Sequence, residues 1–527
     1  MKRRNFLKNT AAATTLPIML GGLPVHAINR NPLLDILYKN AMMTDRVLVL
    51  IQLNGGNDGL NTVVPLNEYG NLSLVRPQVI LPELSILRLN TDTGLHPALT
   101  GFKQLYDSSK LTVLQNVGYD NPNFSHFRST DIWLTGSPSN EVYSTGWLGR
   151  YLDMDHGGYP ANYPNDDFPD PLAITVGSIV SNTCQGLGSN FGMAIRSLDE
   201  FNQLQTGGTG GTPNNRYGIE LDFIRQSMLQ TNQYLGSIQD AASAGNNLSQ
   251  LYPQSGNRLA DQLRIVAQLI SGGLRTPFYV VNLGGFDTHI QQVNSSDHLA
   301  GRHADLMFDL NEAVTAFQDD LELMGIQDRV LGMTFSEFGR RIRGNDSYGT
   351  DHGAAAPMML FGSQVNGQII GQNPIIDPAV DETASIPADI DFRSVYGSVL
   401  MDWFCVDEND IKTLLYNDFQ RINILPPDLS CDSATSVKDL LNPDLLSQNY
   451  PNPFQSSTRI PFSSEGGDLR IDIFNTSGVM IKTLTNRFFA PGEYQITFDA
   501  EGLAAGVYYY RLRHNNSYAT RSMILTR

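Results

Sequence analysis

Four apolar runs each end in a turn that presents acids, histidines or hydroxyls. They are Arg46-Val-Leu-Val-Leu-Ile-Gln-Leu53, Leu111-Thr-Val-Leu-Gln-Asn-Val117, Phe278-Tyr-Val-Val-Asn-Leu-Gly284 and Arg329-Val-Leu-Gly-Met-Thr-Phe335. Runs of this length, rich in β-branched and aromatic residues and bounded by Gly, Asn or Pro, read as strands buried on both faces. Between them lie segments with helical spacing of apolar residues, Ile219 to Ile238, Asn257 to Ile270 and Asp297 to Met324. Strands alternating with helices predict parallel βαβ units and an α/β fold. In such sheets ligands bind beyond the carboxyl ends of the strands, so the residues just past each run matter most. The first run delivers Asp58, the second Ser125 and His126, the third Asp287 and His289, and the fourth Glu337; Asp351 and His352 come later, on a loop.

Asp, Glu and His gathered on one sheet edge predict a divalent metal site. The ligand types suit zinc or manganese, or calcium or magnesium where carboxylates dominate. Metal ligands are expected at Asp58, Asp287, His289, Glu337, Asp351 and His352. Ser125 and His126 open a predicted helix, where backbone N–H groups stabilise anions. Ser125 is then a cap or a nucleophile, with Ser129 and Thr130 as the hydroxyls behind it. Arg128 and Arg340 could each hold an anionic group through a bidentate fork. His298 and His303 fall on the polar side of a helical pattern and read as solvated. The stretch from Tyr151 to Gln250 yields a strand over Leu172 to Val176 and a Gly/Thr-rich loop tip at 206–213, and no chemistry.

Acidic residues outnumber basic ones 53 to 36, for a net charge of −17. That balance argues against nucleic acid as the main partner, because phosphate backbones call for Lys and Arg. Three cysteines make neither a disulfide framework nor a thiolate metal motif. They leave room for one bridge, and Cys405 with Cys431 is one candidate pair.

The first 27 residues read as a leader. The basic start is followed by a small apolar stretch too short to span a bilayer and by an acceptable cleavage site at Val25-His26-Ala27. Arg3-Arg4-Asn5-Phe6-Leu7-Lys8 resembles the twin-arginine export signal. No other apolar segment reaches transmembrane length. At the other end, after a linker over 426–445, short alternating runs between Leu469 and Leu525 are separated by turns and predict a small β-sandwich. Asn449-Tyr-Pro-Asn-Pro-Phe454, Asn475-Thr-Ser-Gly-Val479 and Gly506-Val-Tyr-Tyr-Tyr510 resemble the C-terminal sorting domain of the type nine secretion system. The expected organisation is a leader over 1–27, an α/β domain over 28–425, the linker, and a sorting sandwich over 446–527. The resemblance implies export through the periplasm to the cell surface or beyond, with residues 446–527 engaging the secretion machinery.

Between Arg46 and Asp402 five motifs carry a second resemblance: Leu53-Asn-Gly-Gly-Asn-Asp-Gly59, Asn123-Phe-Ser-His-Phe-Arg128, Gly284-Gly-Phe-Asp-Thr-His289, Phe335-Ser-Glu-Phe-Gly-Arg340 and Thr350-Asp-His-Gly353. Together they resemble the domain of unknown function numbered fifteen-hundred-and-one, which is similar to sulfatases and alkaline phosphatases. The resemblance implies a mostly parallel sheet flanked by helices and a metal-dependent hydrolase of small anionic phosphate or sulfate esters. It implies Asp58, Asp287, His289 and His352 as ligands, with Ser125 or His126 near the nucleophile slot. Ser336-Glu337-Phe338 stands where the wider superfamily supplies Asp-His, and no Ser or Cys precedes the Pro-containing sulfatase modification motif. A formylglycine sulfatase is therefore not expected. The alternative is a non-catalytic surface or binding protein that keeps the fold with a degenerate metal site.

Overall fold

The computed structural model describes residues 45–156, 159–160, 163–165, 168–198, 232–426, 446–464, 466–475, 480–514 and 517–526, with Met19–Leu20 and Leu23–Pro24. The chain divides into two units, Met1–Thr44 and Asp45–Arg527. Among the described residues the first holds only a two-residue antiparallel ladder of Met19–Leu20 with Leu23–Pro24. The twin-arginine motif, the cleavage site, most of the linker and Cys431 lie outside the described residues. Cys405 is disulfide-bonded and Cys184 is a buried free thiol.

The second unit is organised by a nine-stranded sheet. Its strands are β1 (Val47–Asn54), β2 (Leu111–Gly118), β3 (Ala173–Val176), β4 (Gly192–Ile195), β5 (Phe278–Gly284), β6 (Val330–Phe335), β7 (Ala356–Phe361), β8 (Ile369–Ile370) and β9 (Ile390–Asp391). The order is β8-β2-β7-β6-β1-β5-β3-β4, with β9 also on β2. All four of the apolar runs are strands, and all four run the same way. β6, β1, β5, β3 and β4 pair in parallel. β7 is antiparallel to both β6 and β2, so β2 keeps the common direction with β7 between. The carboxyl ends of β1, β2, β5 and β6 therefore share one edge.

Alternate side chains of β1 show why the run is apolar throughout. Val47, Val49, Ile51 and Leu53 enter one core, with α4 (Arg258–Ser271) and α5 (Arg302–Leu323) packed over it. Leu48 and Leu50 enter a second core, under α2 (His126–Thr135), α3 (Trp147–Asp155) and α6 (Phe392–Phe404). The period of two in a strand sends neighbours to opposite faces, and helices cover both. A further helix, α1 (Thr100–Asp107), packs Phe102 into the first core. The predicted α/β class with a mostly parallel, helix-flanked sheet is the one observed.

Two boundaries differ from the sequence reading. α5 begins at Arg302 rather than at Asp297, because residues 294–300 close a turn in which Asn294 N–H donates to the Ala300 carbonyl at 2.7 Å. Gly301 then turns into the helix with φ 130°. The C-terminal region contains the predicted antiparallel sheets and one strand more. β10 (Ser457–Ser464) pairs with β13 (Gly492–Asp499), and β12 (Met480–Phe489), β11 (Gly467–Asn475), β14 (Gly506–His514) and β15 (Ser517–Leu525) form a four-stranded sheet in that order. Pro461 masked β10 in the sequence, since Pro is tolerated only where a strand lacks a partner on one side. Ile460, Phe462, Ile471, Ile473, Phe498, Tyr510 and Met523 fill the core between them.

Candidate metal centre

Each strand end places its side chains at the shared edge by a tight turn. After β1, Gly55 and Gly56 have φ of 124° and 84°. A Cβ on Gly55 would lie 2.3 Å from the Asp287 backbone nitrogen, and one on Gly56 would lie 2.3 Å from the Phe338 ring. Only glycine combines that backbone with that close approach. Gly55 N–H donates to Glu337 Oε1 at 2.8 Å, which ties the β1 turn to the residue after β6. β2 leads to His126 at the start of α2; β5 leads to Asp287 and His289; β7, running the other way, is preceded by Asp351 and His352.

Three histidines point their Nε2 atoms at the Asp287 carboxylate. His289 and His352 lie 3.2 Å from Oδ1, and His126 lies 3.6 Å from Oδ2. The Nε2 atoms of His289 and His352 are 2.9 Å apart. Behind each ring, Nδ1 has a fixed partner. His126 Nδ1 is 2.9 Å from Glu337 Oε1, His289 Nδ1 is 2.9 Å from Asp351 Oδ1, and His352 Nδ1 is 2.8 Å from the Phe124 carbonyl. Phe338, buried, supports the cluster with its ring centroid 5.0 Å from His126 and 4.4 Å from His352.

These partners are compatible with the tautomer that a metal requires. A carbonyl or carboxylate oxygen only accepts, so with the hydrogen on each Nδ1 each neutral ring presents a bare lone pair at Nε2. Three lone pairs and a carboxylate then face one another at hydrogen-bond distance with no donor among them. Positive charge between them relieves that repulsion. A donor set of imidazole nitrogens and one carboxylate, each imidazole backed by a carboxylate or carbonyl, is the arrangement that holds and orients ligands on a transition metal. Candidate ligand atoms of His126, Asp287 and His352 all lie within 4.8 Å of one another. The donors are reachable: the Asp287 side chain is 49% exposed, His289 40% and His126 36%. Burial raises the Asp287 carboxyl, but the Arg340 hydrogen bond and charge and the adjoining His352 outweigh it and bring it to about 2.

Residues 226–407 match the family described as Protein of unknown function (DUF1501). Residues 448–526 match the Secretion system C-terminal sorting domain. No curated protein sequence matches the chain. Among solved structures, a protein of the alkaline phosphatase superfamily from Vibrio parahaemolyticus is 10% identical, with 98% of this chain and 91% of that one covered and a TM-score of 0.29. A sulfatase from Pseudoalteromonas sp. is 11% identical, covering 90% and 88%, with a TM-score of 0.32. A phosphonate monoester hydrolase from Silicibacter pomeroyi is 10% identical, covering 90% and 88%, with a TM-score of 0.30. The chemistry of the site stands on its own side chains. The sorting domain implies contact with the type nine secretion machinery and delivery to the cell surface or outside, and no described helix is long and apolar enough to cross a membrane.

The DUF1501 segment supplies Asp287, His289, Glu337, Arg340, Asp351 and His352, and the structure gathers all six. Their roles differ from those expected. Glu337 and Asp351 sit behind His126 and His289 as partners of Nδ1, while the three Nε2 atoms face Asp287. His126, expected beside the nucleophile, joins the converging donors instead. Arg340, expected on the substrate, is buried and donates to the carbonyls of Gly55, Gly56, Phe286 and Thr350 and to Asp287 Oδ1 at 2.9 Å. With its fork filled it braces the turns and orients Asp287.

Upstream of the DUF1501 segment two expectations are corrected. Asp58 is wholly buried and does not reach the histidines. Both its oxygens meet Arg76, and Gln292 Nε2 donates to Oδ2 at 2.5 Å. Burial pushes the Asp58 carboxyl up, but the Arg76 charge and these hydrogen bonds outweigh it and hold it below the ordinary range. Arg128 points away from the site: it pairs with Asp131 and donates to the Pro138 and Glu141 carbonyls, pinning the loop after α2. Ser125 is exposed at the N-cap of α2 and does not cap with its side chain. Ser129 is buried against the Tyr119 hydroxyl and the Glu337 carbonyl. Arg76 had no sequence signal, since it adjoins no strand end or polar motif; Gln292, three residues past His289, carries an uncharged amide that is no metal ligand type.

His303 is not solvated. It is 1% exposed on α5, with Nε2 3.1 Å from Asn57 Oδ1 and its ring 5.5 Å from His96. Burial lowers His303 to about 4 and His96 to about 3. Both fall below the unfolded value of about 6.5, so the unfolded chain takes up protons first. Their neutral burial costs nothing above that value, and stability is lost as pH falls from there toward 4. For His303 alone, urea unfolding with chelator present should show a loss of about 2–3 kcal/mol between pH 7 and 4.5. His303→Gln should flatten that slope; an unchanged slope would mean that the ring is protonated in the fold.

Proposed function

We propose that the chain is an exported, metal-dependent hydrolase of phosphate or sulfate esters working at His126, Asp287, His289 and His352. The convergence of three Nδ1-tied histidines on one carboxylate, at an exposed sheet edge, carries this reading. The nitrogen-rich donor set favours zinc, with manganese next, over magnesium or calcium, which prefer oxygen ligands. When bound, such an ion supplies Lewis-acid polarisation of an ester oxygen and acidifies a bound nucleophile. Glu337 and Asp351 hold the His126 and His289 rings in the ligating tautomer. Arg340 keeps Asp287 ionised and aimed. Ser125, exposed and next to His126, offers the nearest hydroxyl in sequence for the displacement. Export begins at the twin-arginine leader over residues 1–27, passes the periplasm and ends at the surface or in the medium.

A second reading, a surface or binding protein with an incomplete centre, is favoured by one observation. Arg128, Arg340 and Asp58 are all committed to internal partners, so neither a free guanidinium nor a second carboxylate site is assembled from them. Metal content by mass spectrometry and turnover of chromogenic aryl phosphate and sulfate separate the two. About one ion per chain, with turnover abolished by chelation and restored by zinc or manganese, is the expected result. Bound metal without turnover favours the second reading, and a chain that takes up no ion sinks both.

A further inference from the structure

Gln292 lies outside the donor set and is fully buried. Its carbonyl oxygen accepts from two threonine hydroxyls, Thr288 Oγ1 at 3.1 Å and Thr350 Oγ1 at 2.5 Å. Thr288 sits between Asp287 and His289, and Thr350 immediately precedes Asp351 and His352. One amide thus joins the two loops that carry three of the four converging donors and one of the tautomer-setting carboxylates. Its nitrogen donates to Asp58 Oδ2, and Asp58 is held by Arg76. All five of these side chains, Thr288, Thr350, Gln292, Asp58 and Arg76, are completely buried.

We infer that Gln292 is a positioning residue, which sets the spacing of the Asp287–His289 and Asp351–His352 loops for metal binding through the Thr288 and Thr350 hydroxyls. The inference rests on the metal-centre reading above. The chemistry of the chain of contacts fixes the amide's orientation. An ionised carboxylate only accepts, so it takes the NH2 side; two donating hydroxyls use both lone pairs of the oxygen. No other side chain of this size does both. Glu would set two carboxylates at hydrogen-bond distance, and Met would leave Asp58 and both hydroxyls without that partner. At the ligands themselves the loops are also joined directly: Thr350 N–H donates to the Thr288 carbonyl at 3.2 Å, Asn345 Nδ2 to the His289 carbonyl at 3.0 Å, and His289 Nδ1 lies 2.9 Å from Asp351 Oδ1. Two further backbone links, from Gln291 to Ser347 and from Val293 to Tyr348, lie beyond the ligands toward the loop tip. The Nε2 atoms of His289 and His352 belong one to each loop, so their separation follows the strut.

The test is zinc titration of the full chain against a chromophoric chelator, for wild type, Gln292→Met, Thr350→Val and Thr350→Ser. Groups behind metal ligands are worth roughly 10–100-fold in affinity. Gln292→Met and Thr350→Val should each weaken zinc binding about 10-fold, at the lower end of that range. Thr350→Ser, which keeps the hydroxyl, should restore it. A purely structural role would lower the melting temperature of the apo chain in the Val and Met variants and leave zinc affinity unmoved, and that result overturns the inference. Thr350→Val, nearly isosteric, decides if Gln292→Met does not fold, as judged by circular dichroism. If Ser binds zinc as weakly as Val, the hydroxyl is not the link and the inference also fails. Wild type that binds no zinc removes the metal centre itself, a distinct outcome that takes the positioning role with it.

Discussion

Asp287→Ala is expected to empty the metal centre while leaving the chain folded. The carboxylate is the one group that all three Nε2 atoms face. Changes one layer behind metal ligands already cost roughly 10–100-fold in affinity, so removing the shared oxygen donor should cost at least about 100-fold. Any ester hydrolysis should fall with it, since in the proposed reaction the same ion would polarise the substrate. The fold should persist because Asp287 is half exposed and Arg340 retains its four backbone carbonyls. Asp287→Asn is the sharper variant. It keeps the shape and one oxygen, but its NH2 would face either Arg340 or a histidine, and neither arrangement restores the charge. Zinc competition titration alongside circular dichroism reads both. Full metal retention in the alanine variant would show that the histidines alone hold the ion and that Asp287 has another task.

Arg76→Met should cause the largest loss of stability that a single substitution near the site can produce. Arg76 and Asp58 are both wholly buried and pair through both carboxylate oxygens. Removing one partner leaves a buried charge uncompensated, a loss of about 3–5 kcal/mol. The pH dependence has a definite sign. In the wild type the Asp58 carboxyl is held below its ordinary range. The stability it contributes is full above the unfolded value of about 3.9 and is lost as pH falls through the lower folded value. In Arg76→Met burial is opposed chiefly by His303 and the Gln292 hydrogen bond, so the carboxyl moves up and takes a proton more readily. The gap between variant and wild type should therefore narrow from pH 7 to pH 5 in urea unfolding. Adding Asp58→Leu should recover most of the loss, because an apolar pair of similar volume replaces a buried ion pair with little net change. A loss under about 1 kcal/mol in the single variant would show that water reaches Asp58.

The sheet is legible in the sequence because burial on both faces writes itself as an unbroken apolar run. β1, β2, β5 and β6 are each recognisable for that reason, and their common direction follows from the helices between them. β10 is not, because Pro461 contradicts strand propensity and its edge position is visible only once β13 lies beside it. In the site, Asp287, His289, Asp351 and His352 are legible as a group, since each follows or precedes a strand. Which of them touches an ion is not. Asp351 and His352 are neighbours in sequence, yet one lies behind a ring and the other in front. That difference is set by the direction in which each side chain leaves the loop. Asp58 shows the same gap from the other side. It stands at the end of a central strand as a ligand would, and the deciding residue, Arg76, comes from the end of a short helix packed behind it. The position of Asp58 is written in the sequence, and its counter-ion is not.

The one antiparallel strand of the nine-stranded sheet has a consequence for how its loops can vary. Because β7 runs back alongside β6, everything from Ser336 to Ala355 is a single excursion whose two ends are pinned by adjacent strands. Its stem is clamped again by Gly339–Arg340 against His352–Gly353, so the orienting and ligating residues sit on the stem. The tip at Asp346, Ser347 and Tyr348 is exposed. Lengthening a flexible tip with fixed ends costs little, about 0.6 kcal/mol for each doubling. An insertion between Asp346 and Ser347 is thus expected to leave Glu337, Arg340 and His352 where they are. The excursion behaves as a mount whose tip can change in length without reopening the sheet.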